Sequence, residues 1–421
     1  MSLKPYPNYK PSGVAWLGDV PEHWDVKRLK RMATIHNGRD YKHVELDEGG
    51  FPVIGSGGEF TRSSEYLYSG ESVLLGRKGT INKPLYINGE FWTVDTMFYT
   101  QTYESTLTKY LYYCSLTIRF DLYSTSTALP SMTQADLASI QFGVPKIEEQ
   151  TTIANFLDFE TRKIDALIAE QQQLIVLLAE KRQATISHAV TKGLNPKAPM
   201  KDSGVAWLGE VPEHWATMKV ARAFPSIGSG TTPKSDNALY YDDENGTPWL
   251  NTGDLNDGDL YSCSKKVSDL AIKEHSTLKI YPPNSVVIAM YGATIGKLAI
   301  LKFSTTVNQA CCVFGVSEVI TKDFIFYWLF GLRAQIISLA TGGGQPNISQ
   351  DVIKNLFMAA PCTNEQTAIA NYLDVEISKL DTLQTEANNV IALLKERRTA
   401  LISAAVTGKI DVRGWTAPQN N

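Results

Sequence analysis

The chain lacks most of the features that mark a metalloprotein, a secreted protein or a membrane protein. Its five cysteines form no Cys-x-x-Cys pair, and its six histidines are scattered, with no metal-ligand spacing. No apolar run approaches the roughly 20 residues that a membrane span requires. The first residues also lack the apolar core of a signal peptide. These absences predict a cytoplasmic protein with buried, reduced thiols, no bound metal and no membrane contact.

Positive charge is not in excess either. The formal net charge is −4 over 421 residues. Because neutralising DNA phosphates requires local Lys and Arg, this balance argues weakly against a chain that holds DNA by itself. A DNA-binding face would have to come from local arrangement, with further backbone contacts supplied by a partner protein.

Recognisable catalytic motifs are absent from the sequence. The segment Tyr291–Leu298 resembles a phosphate-binding P-loop, but only three residues separate its glycines, and no Ser or Thr follows Lys297. The acidic tract 254–259 lacks the spacing and the terminal Glu of a calcium loop. The sequence therefore predicts a non-catalytic chain with no cofactor of its own.

Two internal repeats dominate what is present. The segment SGVAWLGDVPEHW at Ser12–Trp24 returns at Ser203–Trp215 with one Asp-to-Glu change, and we call each copy a lead segment. Further along, Glu149–Thr191 matches Glu365–Thr407 without a gap. The leads are offset by 191 residues and the later repeats by 216, so the second copy carries 25 additional residues, mostly across 254–286. The chain is therefore two copies of one unit.

The variable stretches between the repeats predict mixed α and β structure. Short apolar runs bounded by Gly, Pro or Asn, at 72–76, 85–88 and 286–289, are typical of strands. Segments 108–118 and 322–332 have the composition of short buried helices. We interpret their aromatic residues as core packing.

The later repeat predicts one long helix in each copy. Its apolar residues follow alternating steps of three and four, interrupted in the second copy at Glu376, Ala387 and Arg397, which is typical of a coiled-coil seam with polar gaps. The predicted seam consists of Ile153, Leu157, Ile164, Leu167, Leu174, Leu178, Ile369, Leu373, Leu380, Leu383, Val390 and Leu394. Two seams of equal length pair most simply with each other, as antiparallel rods of roughly 60 Å. The alternative is that each helix packs on a separate partner.

The segments that precede the two leads also correspond. Asn195–Asp202 stands before the second lead as Pro5–Pro11 stands before the first, with Lys201 in the place of Lys10. The N-terminus thus occupies, relative to the second long helix, the place that the linker occupies after the first. This predicts a pseudo-twofold closed circle with neighbouring termini.

These repeats resemble the specificity subunits of Type I restriction-modification systems over essentially the whole chain. Besides the leads, the resemblance rests on the Thr-Ile-x-Lys elements Thr80–Lys83 and Thr294–Lys297, on the GGGQPNIS loop, and on the helix starts Pro145–Asp158 and Pro361–Asp374. It implies an α+β fold of two similar mixed α/β target-recognition domains, joined by two long antiparallel coiled-coil helices. Each domain would read one half of a bipartite, asymmetric DNA target, with the helices as a spacer.

The resemblance also implies partners and boundaries. The partners are double-stranded DNA, two modification (methyltransferase) subunits that carry S-adenosylmethionine and flip out the adenine they methylate, and endonuclease or translocase subunits. The predicted parts are a first domain with its lead at 1–145, a first helix at 146–194, a linker and second domain at 195–361, a second helix at 362–410 and a tail at 411–421.

Candidate DNA contacts are the polar residues around the Thr-Ile-x-Lys turns and nearby loops, because base edges and phosphates are read by such side chains. In the first domain they are Ser56, Arg77, Lys78, Thr80 and Lys83. In the second they are Lys234, Asn251, Thr252, Tyr291, Thr294, Lys297, Asn308, Gln309, Gln345 and Asn347.

Among these candidates, Arg77 is the preferred guanine contact because its planar fork is bidentate. Asn308 and Gln309 either contact adenine or cap a buried turn. The loop Gly342–Gly344 either touches DNA or joins two elements, and the first domain has Thr125–Ala128 in its place.

Two other functions stay open at this point. A duplicated protein-interaction scaffold would bind two copies of a protein partner without reading DNA. A self-contained methyltransferase or nuclease is the more remote alternative, since no FxGxG cofactor loop accompanies the Tyr281–Asn284 segment.

Overall fold

The structure, a computed structural model, describes residues 4–122, 130–340 and 346–417. The chain divides into two compact units. Unit 1 combines residues 1–172 with 388–421, and unit 2 is 173–387. Each unit therefore contains the start of one long helix and the end of the other. Within the described ranges, no helix is both long enough and apolar enough to cross a bilayer.

Unit 1 contains eleven strands and two short helices ahead of the first long helix within its described residues. The strands are β1 (Tyr9–Pro11), β2 (Asp19–Pro21), β3 (Asp25–Arg28), β4 (Ala33–Asn37), β5 (Glu45–Leu46), β6 (Phe51–Gly55), β7 (Gly58–Ser63), β8 (Tyr68–Gly76), β9 (Leu85–Thr93), β10 (Met97–Thr102) and β11 (Gln141–Val144). The helices are α1 (Thr108–Ser115), α2 (Gln134–Ser139) and the long α3 (Ile147–Lys192), whose last part belongs to unit 2.

A seven-stranded sheet of order β4-β10-β8-β9-β6-β7-β5 forms the centre of unit 1. Its pairs are antiparallel except β6 with β9, where Val53 lies beside Trp92. The end of β8, from Ser72 to Gly76, is buried because α1 packs over this strand. An apolar run without polar alternation is what a strand covered on both faces requires.

Unit 2 repeats this plan with smaller sheets. Its strands are β12 (Met200–Asp202), β13 (Glu210–Pro212), β14 (Ala216–Lys219), β15 (Ile227–Ser229), β16 (Thr247–Leu250), β17 (Gly258–Leu260), β18 (Lys266–Val267), β19 (Val286–Ala289), β20 (Leu298–Leu301), β21 (Thr306–Val307), β22 (Cys311–Phe314) and β23 (Phe357–Ala360). Its helices are α4 (Val220–Ala223), α5 (Asp269–Glu274), α6 (Lys322–Gly331), α7 (Arg333–Ser338), α8 (Gln350–Asn355) and the long α9 (Thr363–Val406), whose last part belongs to unit 1.

The sheet orders in unit 2 are β15-β22-β19-β20-β17 and β18-β16-β21. The parallel pair β16 with β21 corresponds to β6 with β9 in unit 1. The stretch 254–286, where most of the additional residues are predicted, contains β17 and α5, while β18 pairs with β16 as β7 pairs with β6 in unit 1. The predicted strand 286–289 and the predicted short helices near 108–118 and 322–332 are confirmed as β19, α1 and α6.

Each lead segment is fastened to the start of a long helix. The Glu149 carboxylate accepts a hydrogen bond from Trp24 Nε1 at 3.0 Å and contacts His23 Nε2 at 2.8 Å. In unit 2, Glu365 accepts from Trp215 Nε1 at 3.1 Å and contacts His214 Nε2 at 2.8 Å. In both units, therefore, the histidine of the lead contacts the same carboxylate as the tryptophan. We call each of these arrangements a lead clamp.

The neighbouring glutamine completes the attachment in each unit. Gln366 is fully buried, and its Nε2 donates to the carbonyls of Val319 and Pro361, both at 2.9 Å. Its Oε1 accepts from Thr321 N at 2.8 Å. Gln150 makes the same three kinds of backbone contact in unit 1. The duplicated Glu-Gln pair thus joins the long helix to the domain and to the lead.

The long helices run antiparallel within each unit. In unit 1, Ile153 and Leu157 of α3 share a core with Ile402 and Val406 of α9. In unit 2, the end of α3 shares a core with the start of α9, and Arg182 Nη1 lies 2.6 Å from Asp381 Oδ1. Residues early in one helix meet residues late in the other. The predicted antiparallel pairing is confirmed. The alternative, in which each helix packs on a separate partner, is wrong.

The burial of the predicted seam is uneven. The residues Ile153, Leu157, Ile164, Leu178, Ile369, Leu373 and Leu380 are buried, and Leu394 is partly exposed. The remaining four, Leu167, Leu174, Leu383 and Val390, are 39–47 % exposed, so burial does not support their predicted pairing role. An α-helix with 3.6 residues per turn drifts away from a strict 3.5-residue repeat. Buried positions shift accordingly to Ile377, Ala387 and Ile391.

The predicted closure of the chain is confirmed inside unit 1. Asp411 N donates to Lys4 O at 2.8 Å, and the Tyr9 hydroxyl donates to Gly408 O at 2.9 Å. Gly408 has a φ of +74°, and a side chain there would collide with Pro21 of the lead. Glycine is required at this point because it allows both the left-handed backbone and the close approach.

Replacing the buried glutamine should destabilise unit 2. Gln366→Leu removes the partners of two carbonyls and one amide, and we expect a loss of about 2–4 kcal/mol in unfolding free energy. Gln172→Leu, at an exposed position of α3, is the matched control. Urea unfolding followed by tryptophan fluorescence checks this. Equal midpoints for the two variants would contradict the role assigned to Gln366.

The uneven seam gives a second prediction. Leu380→Asp places a carboxylate where the side chain is 6 % exposed, whereas Leu383→Asp changes a residue that is 47 % exposed. We expect the first to cost several kcal/mol, on the order of 3 or more, and the second to cost less than about 1 kcal/mol. Thermal unfolding of the two variants measures the difference, which would vanish if both leucines lay in the seam.

Candidate nucleic-acid interface

In unit 1 the loop between β9 and β10 gathers three segments that carry polar side chains. This loop, Val94–Thr96, is named here the central loop of unit 1. Gly38 abuts the Val94 carbonyl so closely that no side chain would fit. Val94 N donates to Ile54 O at 3.3 Å, and Arg77 N donates to Thr96 O at 2.8 Å. The turns after β4, β6 and β8 therefore meet at one place.

Arg77 is held at this loop by its own side chain. Its Nη1 donates to the Asp95 carbonyl at 3.3 Å, and its guanidinium lies 5.9 Å from the centre of the Phe98 ring. The residue is partly exposed, and its neighbour Lys78 is exposed. One nitrogen is engaged by the backbone, which fixes the plane of the guanidinium while the rest of the fork stays available.

The hairpin of β6 and β7 presents Ser56 beside the same loop. Ser56 and Gly57 form the two-residue connection, and Gly55 pairs with Gly58. A side chain at Gly55 would lie 3.3 Å from the Phe60 ring and 3.9 Å from Val94. Ser56 is partly exposed. The hairpin tip is thus fixed against the central loop by packing.

The Thr-Ile-x-Lys turn of unit 1 follows Arg77 and Lys78. Thr80 and Lys83 are exposed, whereas Ile81 is buried and anchors the turn. Gly76 faces the Ile81 backbone, since a side chain there would approach Ile81 Cα to 2.6 Å. The turn therefore lies flat against the end of β8 and presents its polar residues to solvent.

Unit 2 has a central loop at the matching position, Asn308–Ala310. Gly230 abuts the Val307 carbonyl as Gly38 abuts that of Val94. Gly230 N donates to Asn308 O at 3.3 Å, and Met290 N donates to Ala310 O at 2.7 Å. The same turns converge in both units.

Asn308 is committed to the turn of this loop. Its Oδ1 accepts from Ala310 N at 3.0 Å, and its Nδ2 donates to Asn251 Oδ1 at 3.1 Å. The side-chain nitrogen of Asn251, Nδ2, in turn donates to Trp249 O at 3.1 Å. The predicted residues Asn251 and Asn308 are thus brought together, and their contacts favour the turn-capping interpretation.

Gln309 differs from its neighbour. It is exposed, and its Oε1 accepts a hydrogen bond from the Thr232 hydroxyl. With the carbonyl oxygen occupied, the amide NH₂ is the group available to a ligand. Lys234 is exposed in the same loop as Thr232.

The other candidates of unit 2 lie at the edges of this region. Tyr291 forms an isolated β-bridge with Asn347, and Lys297 N donates to Thr294 O at 2.9 Å within the Thr-Ile-x-Lys turn. Thr252 begins a short 3-10 turn after β16. Gln345, with Gly342–Gly344, lies outside the described residues.

The corresponding segment of unit 1, Thr125–Ala128, also lies outside the residues that the structure describes. The contribution predicted for these two polar loops therefore stays a prediction.

The geometry adds three residues that the sequence analysis missed. Arg39 is exposed, its amide donates to Thr93 O at 2.9 Å, and its carbonyl accepts from Trp92 Nε1 at 3.0 Å. Phe60 is 54 % exposed at the hairpin tip. Thr232 orients Gln309. The glycines at 38, 57, 58 and 230 are the sequence feature that could have indicated these residues, because glycines mark tight turns that expose their neighbours.

A family model for the Type I restriction modification DNA specificity domain matches residues 21–176 and again 212–393. The specificity subunit of the Type I restriction enzyme EcoBI of Escherichia coli is 21 % identical over 430 residues, covering 94 % of this chain and 88 % of that protein. The MjaVIII specificity subunit of Methanocaldococcus jannaschii is 23 % identical over 427 residues, covering 94 % of each.

Solved structures show the same fold. A chain from a structure of the Type I restriction-modification system superposes with a TM-score of 0.67 at 16 % identity, covering 93 % of this chain and 99 % of the other. The HsdS subunit from Thermoanaerobacter tengcongensis gives a TM-score of 0.55 at 15 % identity, covering 93 % of this chain and 98 % of that one. With two matched segments that together span most of its length, the chain belongs to the family of Type I restriction-modification DNA specificity subunits.

Proposed function

We propose that this chain reads a bipartite, asymmetric sequence in double-stranded DNA, with one half-site for each domain. The observation that carries the proposal is the pair of central loops. They occupy the same place in the two folds, yet Val94, Asp95 and Thr96 in one correspond to Asn308, Gln309 and Ala310 in the other. Domains that share a framework and differ in exposed polar side chains suit two different short sequences.

The recognition chemistry assigned to unit 1 is basic. Arg39, Arg77 and Lys78 surround its central loop, and a partly fixed guanidinium is suited to the O6 and N7 acceptors of guanine in the major groove. Lys78, Thr80 and Lys83 would contact phosphates and so fix the register of the domain on the duplex.

The recognition chemistry assigned to unit 2 is mainly that of amides and hydroxyls. Gln309, oriented by Thr232, offers two N–H donors to base acceptors, while Lys234 and Lys297 supply positive charge for phosphates. Tyr291 and Thr294 border the same turn. This difference between the units would make the target asymmetric.

The paired helices would serve as a spacer and as the docking site of two modification subunits. Those subunits would carry S-adenosylmethionine and methylate adenine, and endonuclease or translocase subunits would join the complex. This chain would be non-catalytic and hold no cofactor. It would work in the compartment that holds the DNA.

A DNA shift assay with random-sequence duplex tests the proposal. The chain mixed with its purified methyltransferase subunit should retain duplex DNA, and the complex should methylate adenine in one bipartite motif. A duplicated scaffold that binds only protein is the competing function, and it predicts a protein complex that leaves the duplex free. Formation of such a complex without DNA retention would refute DNA recognition.

Arg77 provides a sharper test of the site in unit 1. Both Arg77→Ala and Arg77→Lys should relax the base choice at one position of one half-site, with a loss of about 1–3 kcal/mol in discrimination, because neither residue offers a bidentate fork. Lys78→Ala is the matched control, and it should weaken binding of all sequences alike. Mapping of methylated adenines reports both effects. An unchanged motif in both Arg77 variants would remove this residue from the reading surface.

Asn308 and Gln309 separate base reading from turn capping in unit 2. We expect Gln309→Ala to change the half-site motif while thermal stability stays the same. Asn308→Ala should instead lower the unfolding free energy by about 1–3 kcal/mol, because it frees a backbone amide and the Asn251 side chain. Calorimetry and methylation mapping on both variants decide the matter. If Asn308→Ala changed the motif and Gln309→Ala lowered the stability, base reading would belong to Asn308 and turn capping to Gln309.

A further inference from the structure

In each unit a groove lies between the paired helices, beside the end of α9 in unit 1 and beside the end of α3 in unit 2. The two units differ in how this groove is covered. In unit 1, the tail after α9 covers this groove. Trp415 packs against Phe156 and Phe159 of α3, with ring centres 5.7 and 5.8 Å apart. Val412 of the same tail is 1 % exposed, and Phe156 is 3 % exposed. The chain thus seals this groove with its own valine and tryptophan.

The matching positions in unit 2 are uncovered. Tyr372 and Val375 stand in α9 where Phe156 and Phe159 stand in α3. They are 42 % and 54 % exposed, and Leu194, just beyond the end of α3, is 42 % exposed. An open groove of about 590 Å³ lies here, and its lining includes His188, Leu194, Pro196 and Tyr372.

The segment after α3 lines the groove with Leu194 and Pro196 but has no aromatic side chain to cover it. It reads Leu194-Asn-Pro-Lys-Ala-Pro199, and Ala198 N donates to Asn195 O at 3.1 Å, so the chain turns at once toward β12. The tail of a second copy is a poor occupant as well, because Trp415 and Val412 are already packed in their own unit 1. Neither of these two segments therefore fills the groove.

We infer that this groove of unit 2 is a docking site for an aromatic side chain, in the manner of Trp415, presented by a short segment of a partner protein. The partner is the methyltransferase subunit, so this inference rests on the proposed function. An exposed apolar groove with a half-exposed tyrosine matches the pockets in which aromatic anchors of protein interfaces are buried. The sealed groove in unit 1 shows which kind of side chain fits this position.

Photo-crosslinking in the assembled complex tests the inference. His188, exposed and in the groove lining, is replaced by p-benzoylphenylalanine, and the chain is combined with its methyltransferase subunit and irradiated. The expected product joins position 188 to a methyltransferase peptide that contains Trp, Phe or Tyr. The same photoprobe at Lys273, exposed on α5, is the control and should not give that product.

Affinity provides the second measurement. Tyr372→Glu should weaken binding of the methyltransferase subunit at least about tenfold, as the loss of an anchor pocket does. Asn371→Glu adds the same charge at the adjacent exposed position and should leave the affinity unchanged.

The possible results separate the two proposals. A complex that forms and methylates DNA, but gives no crosslink from position 188, a crosslink to a segment without an aromatic residue, or one to residues 410–417 of a second copy, would overturn the docking site alone. Equal affinities of the two glutamate variants would do the same. Failure of the unaltered chain to bind the methyltransferase subunit would instead overturn the proposed function.

Discussion

The hydrogen bonds that form each lead clamp are the interaction on which the rest of this structure depends. One carboxylate at the start of a long helix accepts the indole N–H of a buried tryptophan and contacts a histidine, at Glu149 in unit 1 and Glu365 in unit 2. Burial, and then the hydrogen bond to Glu149, also hold the pKa of the Tyr6 phenol far above its usual value, so Tyr6 remains a donor to the same carboxylate. A half-buried carboxylate with several donors is costly to disturb, because each donor would lose its partner.

The lead clamps divide the molecule into parts that must stay constant and parts that are free to vary. The leads, the Glu-Gln pairs and the glycines after the long helices contact one another and repeat almost without change. The strands and turns between them pack on the long helices but differ between the units, and the stretch that carries most of the 25 additional residues of unit 2 contains β17 and α5. A protein whose recognition loops change while its frame persists is suited to reading different sequences with one architecture.

Much of the fold follows from the sequence because repetition and periodicity are visible there. The offset of 216 located both long helices, and the apolar run Val286–Ala289 located a strand to the residue. Leu167 and Leu383 are exposed although the seam pattern includes them, because a heptad template ignores the drift of a straight helix. Arg39, Phe60 and Thr232 were missed because their proximity to the central loops depends on strand pairing between distant segments. Asn308 shows the same limit, since only coordinates reveal what its amide contacts.

The division of each long helix between two units has a consequence for synthesis. Unit 2 is one uninterrupted stretch, from residue 173 to residue 387, whereas unit 1 needs residues 388–421 to complete its core. A chain leaving the ribosome can therefore finish its second domain while the first still lacks Ile402, Val406 and Val412. The N-terminal domain is synthesised first but its core is completed last. Even a short C-terminal truncation would therefore leave the core of the N-terminal domain incomplete.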